Sequence, residues 1–298
     1  MAAAPDKQDV IPLAEHPVQR VFKEKALRSL SQLPPFSPIL NRVMASLASE
    51  DASFAKLGDL IEKDTVLAGN LLHVVNSALY ARRGTINSVR HALSILGVEK
   101  LRNAVLGMSI SRMWSKIQMP SSWSMARFNM HSAACAILSD LLAQQLPVAY
   151  PEGAFVGGLL HDVGRLLIAL SLPDEHDRIQ RAHEQGGRTR LECEQALLGF
   201  THPQLSADAL AFWNLPKPIQ TAVLYHHDPF GQAADSLSRV VDAANQYVNS
   251  LGVSILADNG SESADGRVVE SLGLDEDRVE LVVAEFKAEY DTMAQFFR

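Results

Sequence analysis

Five of the ten histidines and two aspartates occur in a spacing that could build a metal site. His131 lies inside an apolar helical stretch, and His161 is followed directly by Asp162 in the segment GGLLHDVGR. Imidazole and carboxylate are ligands that divalent Fe, Mn, Zn and Ni accept, and one carboxylate can bridge two ions. Neighbouring side chains leave a helix about 100° apart, so His161 and Asp162 could hold one ion from two sides. The candidate ligands are His131, His161, Asp162, His202, His226, His227 and Asp242.

Each of these residues taken alone is also explained as a hydrogen-bonded core or surface residue. Several of them are bordered by apolar sequence, and a buried polar group costs free energy unless another group pairs with it. The sequence therefore leaves two interpretations open, a metal site and a set of paired core histidines. Cys135 and Cys193 match no metal or redox spacing, and we expect both to be small buried side chains in a reducing cytoplasm.

The elements that must position these residues are helices, because apolar residues recur at intervals of three and four. The alternation of apolar and polar residues that is typical of strands is nearly absent. Asp64 followed by Thr65 predicts a helix break with a new N-cap, and Gly97 predicts a joint inside a second helical stretch. The predicted helical stretches run over 54–80, 88–114, from 120 to 142, and 275–297. The last carries an apolar stripe from Val279 to Phe297 that needs a partner surface.

We therefore predict an all-α protein of two lobes that meet near Pro120. A segment of residues 1–27 precedes a first helical lobe of residues 28–118. The second lobe, residues 119–248, contains every candidate ligand. An acidic loop and a C-terminal helix occupy residues 249–298.

Composition and charge exclude several classes of protein. A hydrophobic content of 47% with 20% charged residues is typical of a soluble globular chain. The sequence contains no run of about 18 uncharged apolar residues, so it predicts no membrane span. The net charge of −7 argues against binding to nucleic acid. Residues 258–298 alone hold eleven Asp/Glu and four Lys/Arg, so the acidity belongs to the C-terminal end. We expect a cytoplasmic protein that binds neither nucleic acid nor membranes.

The order of these residues resembles that of the HD superfamily of metal-dependent phosphohydrolases, with residues 158–165 as the most specific segment. A closer resemblance is to the bacterial HDOD family, the HD-related output domain, over residues 28–245. The stretch Asn76 to Tyr80 is the strongest indication of the HDOD family, because plain HD hydrolases lack it. Further landmarks of that family are Leu33-Pro34-Pro35, Ile61 to Asp64, Ile86 to Val89, His91 to Gly97, Phe212 to Pro216, and His226-His227.

This resemblance implies a two-lobed helical fold, with an HD-like bundle as the second lobe, that works in bacterial signal transduction. Most family members are thought to have lost hydrolase activity through a degraded metal site, whereas every metal position is filled here. One ion would be held by His131, His161, Asp162 and Asp242. Asp162 would bridge to a second ion held by His202 with His226 or His227. One or two divalent ions are expected, with iron favoured over Mn, Zn or Ni.

The residues that related enzymes use for catalysis are less completely matched here than the metal ligands. Arg165 stands where the related HD-GYP phosphodiesterases have lysine, and an arginine can clamp phosphate but is a poor proton donor. An ion pair with a neighbouring carboxylate explains Arg165 equally well. The Gly-Tyr-Pro loop of those enzymes is missing after His227, and Arg127 replaces an acid that some relatives use for a third ion.

The expected function is therefore a regulatory signalling module that retains a metal site without robust catalysis. The alternative is a metal-dependent phosphohydrolase of a nucleotide or phosphoester, in which Asp162 and Arg165 would be catalytic. A third hypothesis is a metal-free helical protein that binds a partner through the C-terminal stripe. The expected partners are other signalling proteins, supplied in trans, and the chain could also form a homodimer.

Overall fold

The structure is a computed structural model of the 298-residue chain. It describes residues 17–34, 36–46, 58, 61–76, 86–255 and 267–294. The part of the chain described there is helical, with no strand, which confirms the all-α prediction. Tyr80, Phe297 and most of the Asn76–Tyr80 stretch lie outside the described residues.

Among the residues that the structure describes, three helices of the first lobe have defined bounds and lead into the second lobe. They are α2, α3 and α4, which span Pro38–Ser46, Thr65–Val75 and Val89–Trp114. α2 and α3 both pack against α4. An earlier helix, α1, spans Pro17–Ser29 and packs on helices of the second lobe.

The second lobe is a bundle of shorter helices. It begins with α5 (Met125–Gln145), α6 (Ala154–Leu160) and α7 (Val163–Ser171), and α6 packs along α5. The lobe continues through α8 to α12, which span Pro173–Glu184, Arg190–Leu198, His202–Phe212, Lys217–Leu224 and Ser236–Ser250. Two helices end the described chain: α13, Arg267–Glu270, and α14, Glu276–Ala294.

Local sequence signals explain several helix boundaries. The Asp64 carboxylate accepts a hydrogen bond from the backbone N–H of Leu67 and caps α3, as the sequence predicted. Gly97 has φ of 77° and ψ of 172° inside α4, which is the predicted joint. The helix predicted to open at Pro120 begins instead at Met125, because Ser124 supplies the N-cap that a proline cannot.

Asn76 joins the end of α3 to the segment that starts the next helix. Its side-chain amide donates to the carbonyl oxygens of Leu72 and Ile86, and its side-chain oxygen accepts from the backbone N–H of Ile86; each distance is 2.7 Å. Asn76 thus caps the end of α3, and the same side chain bonds to Ile86 just before α4.

Aromatic rings fill the contact between the lobes. Trp213, which follows α10, has its ring centroid 5.2 Å from that of Phe36 and 6.3 Å from that of Trp114. Trp114 in turn meets Phe128 edge-on at 6.3 Å. This arrangement joins α4 to the bundle.

The C-terminal stripe finds its partner surface within the chain. Val279, Val282, Phe286 and Met293 of α14 are buried, and the helix packs on α5. Lys100 of α4 adds an ion pair of 2.6 Å to Glu289. The described part of the stripe is therefore part of the core and does not form a free docking face.

One described segment, Pro151–Ser171, is long and apolar enough to cross a membrane. Within its most apolar window 89% of the residues are buried in the protein, and the segment is divided between α6 and α7. It therefore forms the interior of the second lobe.

Burial also perturbs one carboxyl group under the C-terminal helix. Asp140 lies on α5 and accepts a hydrogen bond of 2.9 Å from the side chain of Gln144. Burial raises its pKa to about 6; Asn103 partly opposes the shift, and nearby Glu289 adds to it. The folded protein therefore holds this proton over a pH range in which the unfolded chain has released it.

We expect Asp140→Asn to stabilise the protein above pH 6. Between about pH 4 and pH 6 the wild-type unfolding free energy should fall as pH rises, because only the folded state still binds the proton. The variant lacks this contribution and should be more stable at pH 7.5 by about 1–2 kcal/mol, with no difference below pH 4. Urea unfolding at several pH values measures the gap. Asp291→Asn, at an exposed position of α14, is the control and should leave the pH dependence unchanged.

Candidate metal centre

Close helix packing in the second lobe brings most of the predicted ligands together. His131 projects from the middle of α5, and His161 and Asp162 occupy the junction between α6 and α7. A Cβ atom at Gly158 would lie 2.5 Å from the carbonyl oxygen of Cys135, so only glycine allows α6 to approach α5 this closely. The other ligands lie at the start of α10 and just after α11: His202, His226 and His227.

The Asp162 carboxylate stands at the middle of the imidazoles. Its Oδ2 atom lies 3.5 Å from Nε2 of His161 and 3.8 Å from Nε2 of His131. Its Oδ1 atom lies 3.0 Å from Nε2 of His202 and 3.7 Å from Nε2 of His226. Each oxygen therefore faces a different pair of rings, which is the arrangement that a bridging carboxylate requires.

Three of the imidazoles are oriented by backbone carbonyl oxygens. Nδ1 of His131 donates to Val253 at 2.7 Å, Nδ1 of His161 donates to Gly158 at 2.8 Å, and Nδ1 of His226 donates to Val223 at 2.6 Å. A carbonyl can only accept, so each Nδ1 carries a proton, and each ring turns its Nε2 atom inward. Hydrogen bonds of this kind orient histidine ligands in metal sites.

The lone pairs that meet in this space lack donors. Nε2 of His131 lies 3.3 Å from Nε2 of His161 with no proton available between them. Among the residues that the structure describes, His226 Nε2 has no hydrogen-bond partner although its side chain is buried, while Nε2 of His202 lies within hydrogen-bond distance of Asp162 Oδ1, at 3.0 Å. Buried acceptors that face one another are unfavourable unless a cation lies between them. The residues present therefore fit a divalent metal.

The nitrogen, oxygen and sulfur donors form two groups, each with its ligand atoms within 4.8 Å of one another. The first group is His131, Cys135 and His161. The second group is Asp162, His202, His226 and His227. Cys135 was expected to be an inert core residue. The signal that could have identified it is its position four residues after His131, which places both side chains on one helix face.

Asp242 belongs to neither group. Its carboxylate accepts a hydrogen bond of 2.8 Å from Gln246 and lines a separate cavity with Phe230 and Arg239. α12 instead presents Asn245 to the cavity beside His202. The structure thus places the predicted Asp242 apart from the other candidate ligands.

A second buried carboxylate supports His202 from behind. Oε2 of Glu194 accepts from Nδ1 of His202 at 2.7 Å and from its backbone N–H at 2.8 Å, while Oε1 accepts from Arg190 at 3.1 Å. Burial opposes charge on Glu194, but His202 and Arg190 outweigh it and lower its pKa. The sequence carried no signal for this role, because eight residues and a helix end separate Glu194 from His202.

Arg165 is paired with the central carboxylate. Its Nη1 atom lies 3.0 Å from Asp162 Oδ2, so the structure contains the ion pair that was one of the two explanations of this residue. Arg165 also lines a cavity of about 430 Å³ with Arg190, His202 and Asn245. The helices of the second lobe thus enclose the centre, and this cavity gives access to it.

The protonation of the centre follows from burial and charge. Burial lowers the pKa of His131 and lowers that of His161 to about 3, so both rings are neutral. Burial opposes ionisation of Asp162, but His161, Arg165 and His202 outweigh it and hold its pKa well below its usual range. The centre therefore presents an ionised carboxylate and, at His131 and His161, neutral imidazoles, which are the forms that bind metal. Burial opposes charge on His202, but Glu194 and Asp162 outweigh it and raise its pKa, so a metal would have to replace the Nε2 proton of this ring.

The HDOD domain family matches residues 33–229 of the chain. This protein belongs to the HDOD family. An uncharacterized protein of Treponema pallidum (strain Nichols) is 19% identical over 201 residues, which are 67% of this chain and 38% of that protein. The HDOD chain described here therefore spans less than half of the length of that curated relative.

Three solved structures share the fold. An HDOD domain protein of unknown function from Geobacter sulfurreducens matches with a TM-score of 0.73 and 24% identity, over 93% of this chain and 97% of that one. A proposed phosphohydrolase from Shewanella amazonensis SB2B has a TM-score of 0.73 and 20% identity, over 92% and 98% of the two chains. A proposed signal transduction protein from Marinobacter aquaeolei VT8 has a TM-score of 0.69 and 22% identity, over 96% and 67%. These matches confirm the HDOD fold.

Removing the carboxylate behind His202 should weaken metal binding without removing a ligand. We expect Glu194→Ala to lower the affinity of the second group about 10–100-fold, because His202 loses the acceptor that orients its ring. Glu194→Gln keeps an acceptor oxygen and should lose less. Competition against a chromophoric chelator measures the affinity, and far-UV circular dichroism checks the fold. Equal affinity in all three proteins would contradict the role given to Glu194.

Proposed function

We propose that this protein is a bacterial signal-transduction module of the HDOD family that retains a divalent metal centre and lacks robust hydrolase activity. Iron is the first candidate metal, followed by Mn, Zn and Ni. The single observation that carries the proposal is the convergence of four Nε2 atoms on the buried Asp162 carboxylate. A relic site would not be expected to keep an Nδ1 acceptor for each of His131, His161, His202 and His226.

The position of Arg165 favours regulation over catalysis. Its guanidinium donates to the same carboxylate that would bridge two ions, so it is committed to Asp162 and is not aimed at a phosphate in the cavity. Metal binding would have to compete with this ion pair. The competition gives the centre two arrangements, one with arginine and one with metal, and a signalling module needs two such states.

The C-terminal part of the chain is the segment best placed to report which state is occupied. Val253 accepts from His131 at 2.7 Å, and the carbonyl of Ser254 accepts from Arg127 at 3.1 Å. These two bonds hold the chain where it leaves the second lobe on its way to α14. A shift of His131 on metal binding would therefore be transmitted directly to this segment.

The proposal predicts a definite metal content. Protein purified anaerobically, without chelator and without added metal, should contain one or two Fe, Mn, Zn or Ni atoms per chain by elemental analysis. His161→Gln and Asp162→Asn should each lose the ion they hold, because each variant removes a buried ligand at the centre. His91→Ala, at an exposed position of α4, is the control and should keep the full content. Folded wild-type protein that contains no metal and takes up none would overturn the proposal.

A metal-dependent phosphohydrolase is the second candidate function. The observation that favours it is the cavity of about 430 Å³ that opens onto His202 and His227 and is lined by Arg165 and Arg190. Two guanidinium groups beside a metal are suited to a phosphate group. A bound ion would lower the pKa of a coordinated water and polarise the phosphate, while Arg165 would bind the phosphate oxygens after leaving Asp162.

These two functions differ in turnover. The regulatory module predicts that Mn- or Fe-loaded protein does not hydrolyse a generic phosphodiester, a phosphomonoester or a nucleotide panel above the rate of the Asp162→Asn variant. Phosphohydrolase activity would instead depend on metal, and the activity would fall at least about 100-fold in Asp162→Asn. Arg188→Lys, a charge-conserving change on the exposed loop before α9, controls for general effects.

A further inference from the structure

We infer that Cys135 is a metal ligand, and that its thiolate completes the first ion's coordination with His131, His161 and the Asp162 carboxylate. The inference rests on the proposed metal centre and assigns to it a sulfur ligand in place of the predicted Asp242. The thiol proton is released to solvent as the sulfur–metal bond forms. No electron transfer is involved.

The distances between donor atoms match those of a four-coordinate ion. Sγ of Cys135 lies 3.6 Å from Nε2 of His131, and Nε2 of His131 lies 3.3 Å from Nε2 of His161. Bonds of about 2.3 Å to sulfur and about 2.0–2.1 Å to nitrogen place tetrahedral S and N ligands about 3.6 Å apart, and two N ligands about 3.3 Å apart. Both distances fit ligands of one ion, and the donor atoms of all three side chains lie within 4.8 Å of one another.

Charge provides an independent argument. The permanent charges that contact the centre already cancel, since Arg165 pairs with Asp162 and Arg190 pairs with Glu194. A divalent ion bound beside His131 and His161 would bring further positive charge into a fully buried space. A thiolate at Cys135 supplies a negative charge there in addition to that of the Asp162 carboxylate.

Cys135 lies where α6 packs closely against α5. The residue is fully buried, and its carbonyl oxygen lies against Gly158 of α6. His131 is one turn before it on α5, so Sγ and Nε2 share the face that looks toward Asp162. A competing explanation is a simple hydrogen bond from the thiol to Nε2 of His131, which also fits 3.6 Å. That explanation requires no sulfur–metal bond. The cobalt charge-transfer band distinguishes it from a metal-bound thiolate.

A sulfur ligand would make the two groups different in metal preference. Thiolate favours Fe, Zn or Co over Mn and Mg, whereas the second group offers only imidazole and carboxylate. The first position would therefore keep a tightly bound, thiophilic ion, while the second would exchange more readily.

The test is anaerobic titration of the full-length chain, freed of metal, with cobalt(II) chloride. Cobalt shows a near-ultraviolet charge-transfer band only when a thiolate binds it. We expect this band in wild-type protein, saturating at one cobalt per chain. Cys193→Ser, at the other buried cysteine, should keep the band, and Cys135→Ser should lose it. Cys135→Ala is a second variant in case serine disturbs the fold, and circular dichroism checks each protein.

Without the thiolate, the first group should bind cobalt at least about 10-fold more weakly, while the second group should still bind. Cobalt bound by wild-type protein without a charge-transfer band would overturn the role of Cys135 and leave the metal centre standing. A band that persists in Cys135→Ser would likewise overturn it. Failure of folded wild-type protein to bind any cobalt would overturn both the ligand and the proposed metal centre.

Discussion

A buried carboxylate surrounded by imidazole lone pairs is the constraint on which the second lobe depends. Removing an ion from water costs several kcal/mol even after the protein relaxes, and Asp162 is almost completely buried. Its negative charge is met by Arg165 and by His202, whose pKa the two carboxylates raise, while the Nε2 atoms of His131 and His161 face it as acceptors. One cation cannot satisfy this arrangement, because the guanidinium reaches only Oδ2. The geometry that remains has the donor types, the spacing and the protonation of a divalent metal site.

The same contacts show how the centre is tied to the rest of the molecule. His131 is bonded to Val253 and His202 to Glu194, so each ring links the centre to a different helix or segment. Arg190 and Arg165 then neutralise the two buried carboxylates. The polar core of the lobe is therefore one continuous network. A change at Asp162 would alter the contacts of the cavity wall and of the segment that contains Val253.

The first lobe and the C-terminal helix hold this network in place from outside. α14 covers the face of α5 opposite the ligands, and the rings of Trp213, Trp114 and Phe36 join α4 and the segment before α2 to the bundle. Small residues let the helices come close where the ligands must meet, as at Gly158 against α5. Close packing makes the interior stiff, so the distances between ligands are set by helix positions more than by side-chain choice.

The amino-acid sequence by itself determined the helical class, the breaks at Asp64 and Gly97 and the family, because these depend on local backbone preferences and on ordered motifs. It also indicated the histidines that meet at the centre. Only the tertiary structure decided that Cys135 joins them, that Glu194 supports His202, and that Asn245 and not Asp242 lines the cavity beside the ligands. These three outcomes depend on how closely helices approach and how each is rotated about its axis. Both are set by packing between residues far apart in the chain, and spacing along one helix does not specify them.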